Sequence, residues 1–248
     1  MEGIHVSLQP EIIGNLFGMP VSNSLLLGII ATLLLLGGGV FASRSLRAVP
    51  GKLQNGLELI VGGLLDFIES VLGDRKQALQ FFPIVAAFFL LILVNNWIGI
   101  LPGIGSIVIE EAGHATASPL FRSANSDLNT TLALALVSVI AAHLYGMQQL
   151  GVLAHLGKFF AFTKGPIYFF VGLLELVGEF AKVLSFSFRL FGNVFAGEVL
   201  LITMMTLVPL LAPAPFFALE IFVGFIQALV FSMLTLVFLK ISTQTVEH

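Results

Sequence analysis

Four blocks of this 248-residue chain are almost free of charge: residues 21–43, 82–101, 128–150 and 216–240. A helix needs about 20 apolar residues to cross the hydrocarbon core of a bilayer, and a run beyond about 18 is read as a span. A fifth block, 167–208, is too long for one upright crossing, since a helix of that length reaches about 63 Å at 1.5 Å per residue. No proline or polar turn interrupts Phe169–Thr206, so the block is expected to form one long, tilted helix. Pro209, Pro213 and Pro215 then turn the chain into the last span. Charged residues make up only 10 % of the chain, against about a quarter in soluble domains. The expected fold is therefore an all-α integral membrane protein, one membrane domain over residues 1–248 with five membrane-crossing helices.

One further helix differs in character. Between Lys52 and Gly73, within the segment 51–73, Leu53, Leu57, Ile60, Val61, Leu64, Ile68 and Val71 recur at helical spacing, with Gln54, Glu58, Asp66 and Glu69 on the other face. The spacing predicts an amphipathic helix, interrupted at Gly62 and Gly63, that lies along the membrane interface or packs on a partner. Short loops rich in Lys and Arg stay on the cytoplasmic side. With five spans, Arg44, Arg47, Lys52, Arg75, Lys76, Lys158, Lys164 and Lys240 share one side, and Arg122 alone falls opposite. The N-terminal segment 1–20 and the loop 102–127, which carries Glu110, Glu111 and His114, are thus expected outside, and the C-terminus inside. The first Lys or Arg is Arg44, so no positive signal-peptide region precedes the first span, which is expected to be retained.

Composition removes several function classes. A net charge of −3 without a basic run argues against a nucleic-acid surface. The absence of cysteine excludes disulfides, thiol catalysis and Cys-based metal sites. No metal-ligand spacing, nucleophile elbow or phosphate-binding glycine loop is present, so no cofactor or metal is expected and the chain is not expected to be catalytic alone. No internal repeat is visible either, which counts against an inverted-repeat transporter.

The chemistry concentrates in the long block, where Glu175, Glu179, Lys182, Arg189, Asn193 and Glu198 interrupt apolar sequence. Residues seven apart return to nearly the same helix face, so Glu175, Lys182 and Arg189 form a stripe, with Asn193 one turn beyond Arg189. Glu179 and Lys182 are spaced for an i,i+3 pair near the interface. No acidic residue stands one turn from Arg189; its guanidinium cannot lose its proton, so it is a fixed charge rather than a proton carrier. It either serves a passing carboxylate or pairs structurally with Glu198 or Glu220. The last span adds Glu220 and Gln227, seven apart, with Gly224 between them for close helix approach. A tight turn between the last two helices would bring Glu198 and Glu220 to comparable depth, as a proton relay or as two hydrated carboxylates. Gln227 is expected deeper, near Arg189 and Asn193, where an amide could hold the guanidinium, make an ordinary interhelical hydrogen bond, or do both. Asp127 fits an N-cap for the third span, Ser185 could bond back to a carbonyl, and His143 fits a structural role. Asn95 and Asn96 are either interfacial or line the same inlet.

The run Leu184-Ser185-Phe186-Ser187-Phe188-Arg189-Leu190-Phe191-Gly192-Asn193, followed by Ala196-Gly197-Glu198, resembles the signature of subunit a of F-type rotary ATP synthases. Asn95-Asn96-Trp97-Ile98-Gly99-Ile100-Leu101-Pro102-Gly103, Ser126-Asp127-Leu128-Asn129-Thr130-Thr131-Leu132-Ala133 and Ile226-Gln227-Ala228-Leu229-Val230-Phe231 are similar to further motifs of that family, and the likeness runs from the amphipathic helix to the C-terminus. The resemblance implies a stator against which a ring of c subunits turns, held by peripheral-stalk b subunits within the complete synthase, with protons reaching each ring carboxylate through two offset half-channels. It implies that Arg189 is the stator arginine, that Asn193 and Gln227 line its site, and that Glu198, Glu220 and Asp127 belong to the outer half-channel. Glu175 and Ser185 match positions on the cytoplasmic side. It also implies that the last two helices form a tilted hairpin against the ring. Some members carry His where this chain has Glu220, so the relay here would be carboxylate to carboxylate. A bacterial inner membrane is expected, a mitochondrial inner membrane being the alternative. A self-contained transporter would explain the buried charges but not the missing repeat, and a passive scaffold would explain none of the buried charges.

Overall fold

The computed structural model describes residues 10–16, 18–44, 47, 50–101, 107–109, 118–153, 157, 166–208 and 213–244. A short hairpin, β1 (Ile12–Leu16) and β2 (Met19–Ser22), turns at Gly18 and leads into α1 (Asn23–Arg44). Then follow α2 (Lys52–Leu72), α3 (Arg75–Ile100), the two-residue strands β3 (Val108–Ile109) and β4 (Ser118–Pro119), a 3-10 turn (Ala124–Ser126), α4 (Leu128–Leu150), α5 (Pro166–Leu207) and α6 (Pro213–Thr243). Among the described residues, five helices are long and apolar enough to cross a membrane: α1, α3, α4, α5 and α6. The protein is an all-α membrane protein with two small antiparallel sheets among the described residues, and β2 takes Val21 and Ser22 from the start of the first apolar block. Glu110, Glu111, His114, Lys158, Lys164 and Pro209 lie outside the described residues.

The helices start and stop where local chemistry allows. Asp74 caps α3, its side chain accepting from the Lys76 amide, and Asp127 caps α4 by accepting from the Asn129 amide. Between α2 and α3 the chain turns at Gly73, whose φ of 77° lies in the left-handed region, and its N–H closes onto Glu69 O. Arg75 spans this corner, reaching Asp66 at 3.1 Å and Glu69 at 2.5 Å. The second span is longer than its apolar block: α3 begins at Arg75 rather than at 82, and Pro83 lies inside it. The apolar run marks the hydrophobic section of a helix, not the capped end at which the backbone bonds begin.

Two apolar clusters hold the bundle together, and both are built on α3 and α6. The first joins Phe88, Phe89 and Ile92 of α3 to Ala135 of α4, Phe186, Leu190 and Val194 of α5, and Phe231 of α6. The second joins Phe81 and Val85 of α3 to Ile68 and Leu72 of α2, Ala142 of α4, and Leu236 and Leu239 of α6. Hydroxyl pairs tie the same helices: Ser138 to Thr235 at 2.8 Å, and Thr131 to Ser187 at 3.1 Å. α2 runs unbroken through Gly62 and Gly63, contrary to expectation. Glycine costs about 1 kcal/mol in a helix interior, and the packing of Ile68 and Leu72 supports the helix from its C-terminal half. The other half stands clear of the bundle, with Leu53 81 % exposed. The helix therefore divides its length between tertiary packing and an uncovered apolar face.

Candidate functional site

α5 carries two unlike faces, set by its sequence period. Phe186, Ser187, Leu190, Val194, Gly197 and Leu201 point into the bundle. Leu184, Ser185, Phe188 and Arg189 are exposed on the other face, with Asn193 at its border. Arg189 thus stands among exposed apolar side chains, and its Nη2 donates to Ser185 Oγ at 3.4 Å. Among the described residues it makes no ion pair, so the structural pairing with Glu198 or Glu220 is overturned. Nor does Ser185 bond back to a carbonyl; its hydroxyl faces the guanidinium one turn on. Glu175 is exposed on α5, while Lys182 is drawn to Glu179 at 2.6 Å, the expected i,i+3 pair. His143 of α4 lies 3.5 Å from the other oxygen of Glu179.

Asn193 and Gln227 meet across α5 and α6, Asn193 Nδ2 donating to Gln227 Oε1 at 2.7 Å. Gln227 is 4 % exposed and its Nε2 has no hydrogen-bond partner. Of the two roles open to Gln227, the structure shows the interhelical hydrogen bond and no bond to the guanidinium among the described residues. The buried amide takes the nearer partner, Asn193, which stands one turn from Arg189 on the same face of α5.

Glu198 and Glu220 do come together. Both line a cavity of about 310 Å³ bounded by the end of α3, the loop before α4, α5 and the first turns of α6. Glu220 is 8 % exposed. A Cβ at Gly197 would collide with its carboxylate, so only glycine there lets α6 seat Glu220 against α5. Glu198 is matched with Arg122, whose Nε lies 3.2 Å from both carboxylate oxygens. The same Nε reaches Ser126 Oγ at 3.1 Å, and the guanidinium stands 5.9 Å from the centre of the Phe195 ring. Sequence reasoning used Arg122 only to orient the chain; a lone arginine in a loop of small residues carries no periodicity to mark it as buried.

Asn95 and Asn96 are both buried rather than interfacial. Asn96 lines the cavity, donates to Gly224 O at 3.0 Å and accepts from Asn125 Nδ2 at 2.7 Å. Gly224 makes its close approach here, to α3: a Cβ would stand 3.1 Å from Asn96 Cβ. Gly99 admits the loop before α4 in the same way, since a Cβ would stand 2.6 Å from Ser123 Cβ. Asp127 is buried but absent from the cavity wall. It caps α4 and accepts from Ser24 Oγ of α1 at 3.1 Å, so its carboxylate joins the first span to the third.

A family model described as ATP synthase A chain matches residues 25–240. The chain is 33 % identical over 215 residues to a protein of Geotalea daltonii named ATP synthase subunit a, covering 86 % of this chain and 82 % of that one. A protein of the same name from Syntrophobacter fumaroxidans is 35 % identical over 213 residues, 84 % of this chain and 79 % of that one. One from Campylobacter jejuni is 33 % identical over 207 residues, 82 % of each chain.

Proposed function

Since the chain belongs to the ATP synthase A chain family, we propose that it is the stator of a bacterial F-type ATP synthase and guides protons to and from a rotating ring of c subunits. The observation that carries this reading is the placing of Arg189. A permanent cation stands on the outward face of an apolar helix, between the exposed Phe188 and Leu184, with only a serine hydroxyl among the described residues to meet it. A charge near the bilayer centre costs about 2.5–3.5 kcal/mol on insertion scales, so a second, anionic surface is required. A ring of membrane carboxylates supplies one.

In this mechanism a proton enters from outside through the cavity that holds Glu198 and Glu220 and neutralises a ring carboxylate. A neutral carboxyl can enter lipid at far lower cost than a charged one, so the ring turns. After nearly a full turn the site reaches the second half-channel, near Glu175, and releases its proton beside Arg189. The fixed cation attracts the resulting anion and repels hydronium that would otherwise cross directly. Asn193 and Gln227 give that face a polar patch next to the arginine. Each proton crossing yields about 2.3 kcal/mol per 100 mV, so several combine for each ATP made by the catalytic part of the complex. Asp127 borders the outer end through its cap on α4, and the peripheral-stalk b subunits hold the stator against torque. The N-terminus lies outside and the C-terminus in the cytoplasm.

Arg189→Ala in the assembled complex tests the reading in membrane vesicles. ATP-driven proton pumping is expected to vanish while ATP hydrolysis by the attached complex persists, and passive proton leak is expected to rise. Pumping at the normal rate would overturn the mechanism.

A further inference from the structure

We propose that Arg122 is a positioning residue of the ion pathway, fixing the Glu198 carboxylate on the wall of the cavity that it shares with Glu220. The inference rests on reading that cavity as the outer half-channel. Arg122 is 7 % exposed and belongs to no helix, so its place is set by its contacts. Ser126 Oγ at 3.1 Å and the Phe195 ring at 5.9 Å hold it on two sides. The loop that carries it is pinned in turn. Ser123 Oγ donates to Asn95 O at 3.3 Å, and Asn125 Nδ2 donates to Ile92 O at 3.3 Å and to Asn96 at 2.7 Å. A guanidinium anchored in this way offers Glu198 one fixed partner, 3.2 Å from both oxygens.

The two carboxylates are therefore placed by separate devices. Glu220 is seated by the missing side chain at Gly197, and Glu198 by the charge of Arg122. A glutamate on a helix has three rotatable side-chain bonds, and without its partner Glu198 would swing through the cavity rather than keep one distance from Glu220. Arg122 cannot act as a relay member, because a guanidinium keeps its proton at any accessible pH. Its positive charge also offsets the repulsion between two acidic groups at one cavity.

The test uses the assembled complex in membrane vesicles and compares Arg122→Gln, Arg122→Lys, Glu198→Gln and the double variant Arg122→Gln/Glu198→Gln. ATP-driven pumping and the pH profile of passive proton conductance are measured, with ATP hydrolysis and subunit content as assembly controls. Arg122→Gln is expected to lower pumping about tenfold and to displace the pH profile, with Arg122→Lys falling between it and the natural protein. The double variant is expected to match Glu198→Gln, because the arginine has nothing left to position. Should Arg122→Gln fail to assemble, Arg122→Lys against the double variant gives the same comparison without stranding a carboxylate. Losses that multiply in the double variant, or an unchanged Arg122→Gln profile, would overturn the proposal. Arg189→Ala is run in parallel: if it pumps normally the half-channel reading itself fails, whereas an inactive Arg189→Ala beside a normal Arg122→Gln removes only the inference about Arg122.

Discussion

Placed on one helix, two kinds of charged residue meet opposite solutions. Glu198 turns toward the bundle and finds Arg122; Arg189, nine residues earlier, turns away and, among the described residues, finds only Ser185. The difference follows from the helix period, which sends Phe186, Leu190 and Val194 inward and leaves Arg189 outward. Around Glu220 the decisive residue is a glycine. Gly197→Ala would put a methyl group where the Glu220 carboxylate lies. The variant is expected to assemble but to pump at least about tenfold more slowly, because overpacking displaces the acid rather than unfolding the bundle. Proton pumping and subunit content of membranes measure the two halves of that statement, and an unimpaired Gly197→Ala would show that the carboxylate has room to move.

At the scale of elements, α6 is the helix on which both clusters depend. Phe231 is 2 % exposed and packs against Phe88 and Phe186, with ring centres 5.5 and 4.9 Å away. Truncating a buried phenylalanine costs about 3–5 kcal/mol, and Phe231→Ala is expected to lower the thermal midpoint of the purified chain in detergent sharply. Ser138→Ala is expected to do much less. It removes one hydroxyl pair between α4 and α6, of a kind worth about 0.6 kcal/mol between membrane helices. Equal losses in the two variants would mean that the hydroxyls, not the aromatic cluster, hold α4, α5 and α6 together.

For the molecule as a whole, the bundle is asymmetric. Its packed side is α3 with the inner faces of α4, α5 and α6; the face of α5 that carries Arg189 is uncovered. On the proposed reading half of the pathway is built from another subunit, so the chain alone would be inert. Vesicles holding only this chain are expected to keep an imposed pH gradient as well as empty ones, and to dissipate it once a c-ring is reconstituted with the chain. Proton conduction by the isolated chain would instead make it a self-contained channel.

The chain's own order of residues settles the class of the molecule and much of its layout. Hydropathy is summed along the chain, so the five spans and the long α5 are legible without any knowledge of contacts. Helical period likewise marks the separate faces of α5, and the prominence of Arg189 comes from a charge in apolar sequence. Contacts between elements are not additive along the chain, and there the tertiary structure decides. It pairs Gln227 with Asn193 rather than with Arg189, joins Asp127, the expected helix cap, to Ser24, and carries α2 through two glycines. It also brings Arg122, which lies outside every helix, to Glu198 across 76 residues of chain. A charge pair of that separation leaves no local pattern, because both partners are chosen by the packing of α3, α5 and α6 around one cavity.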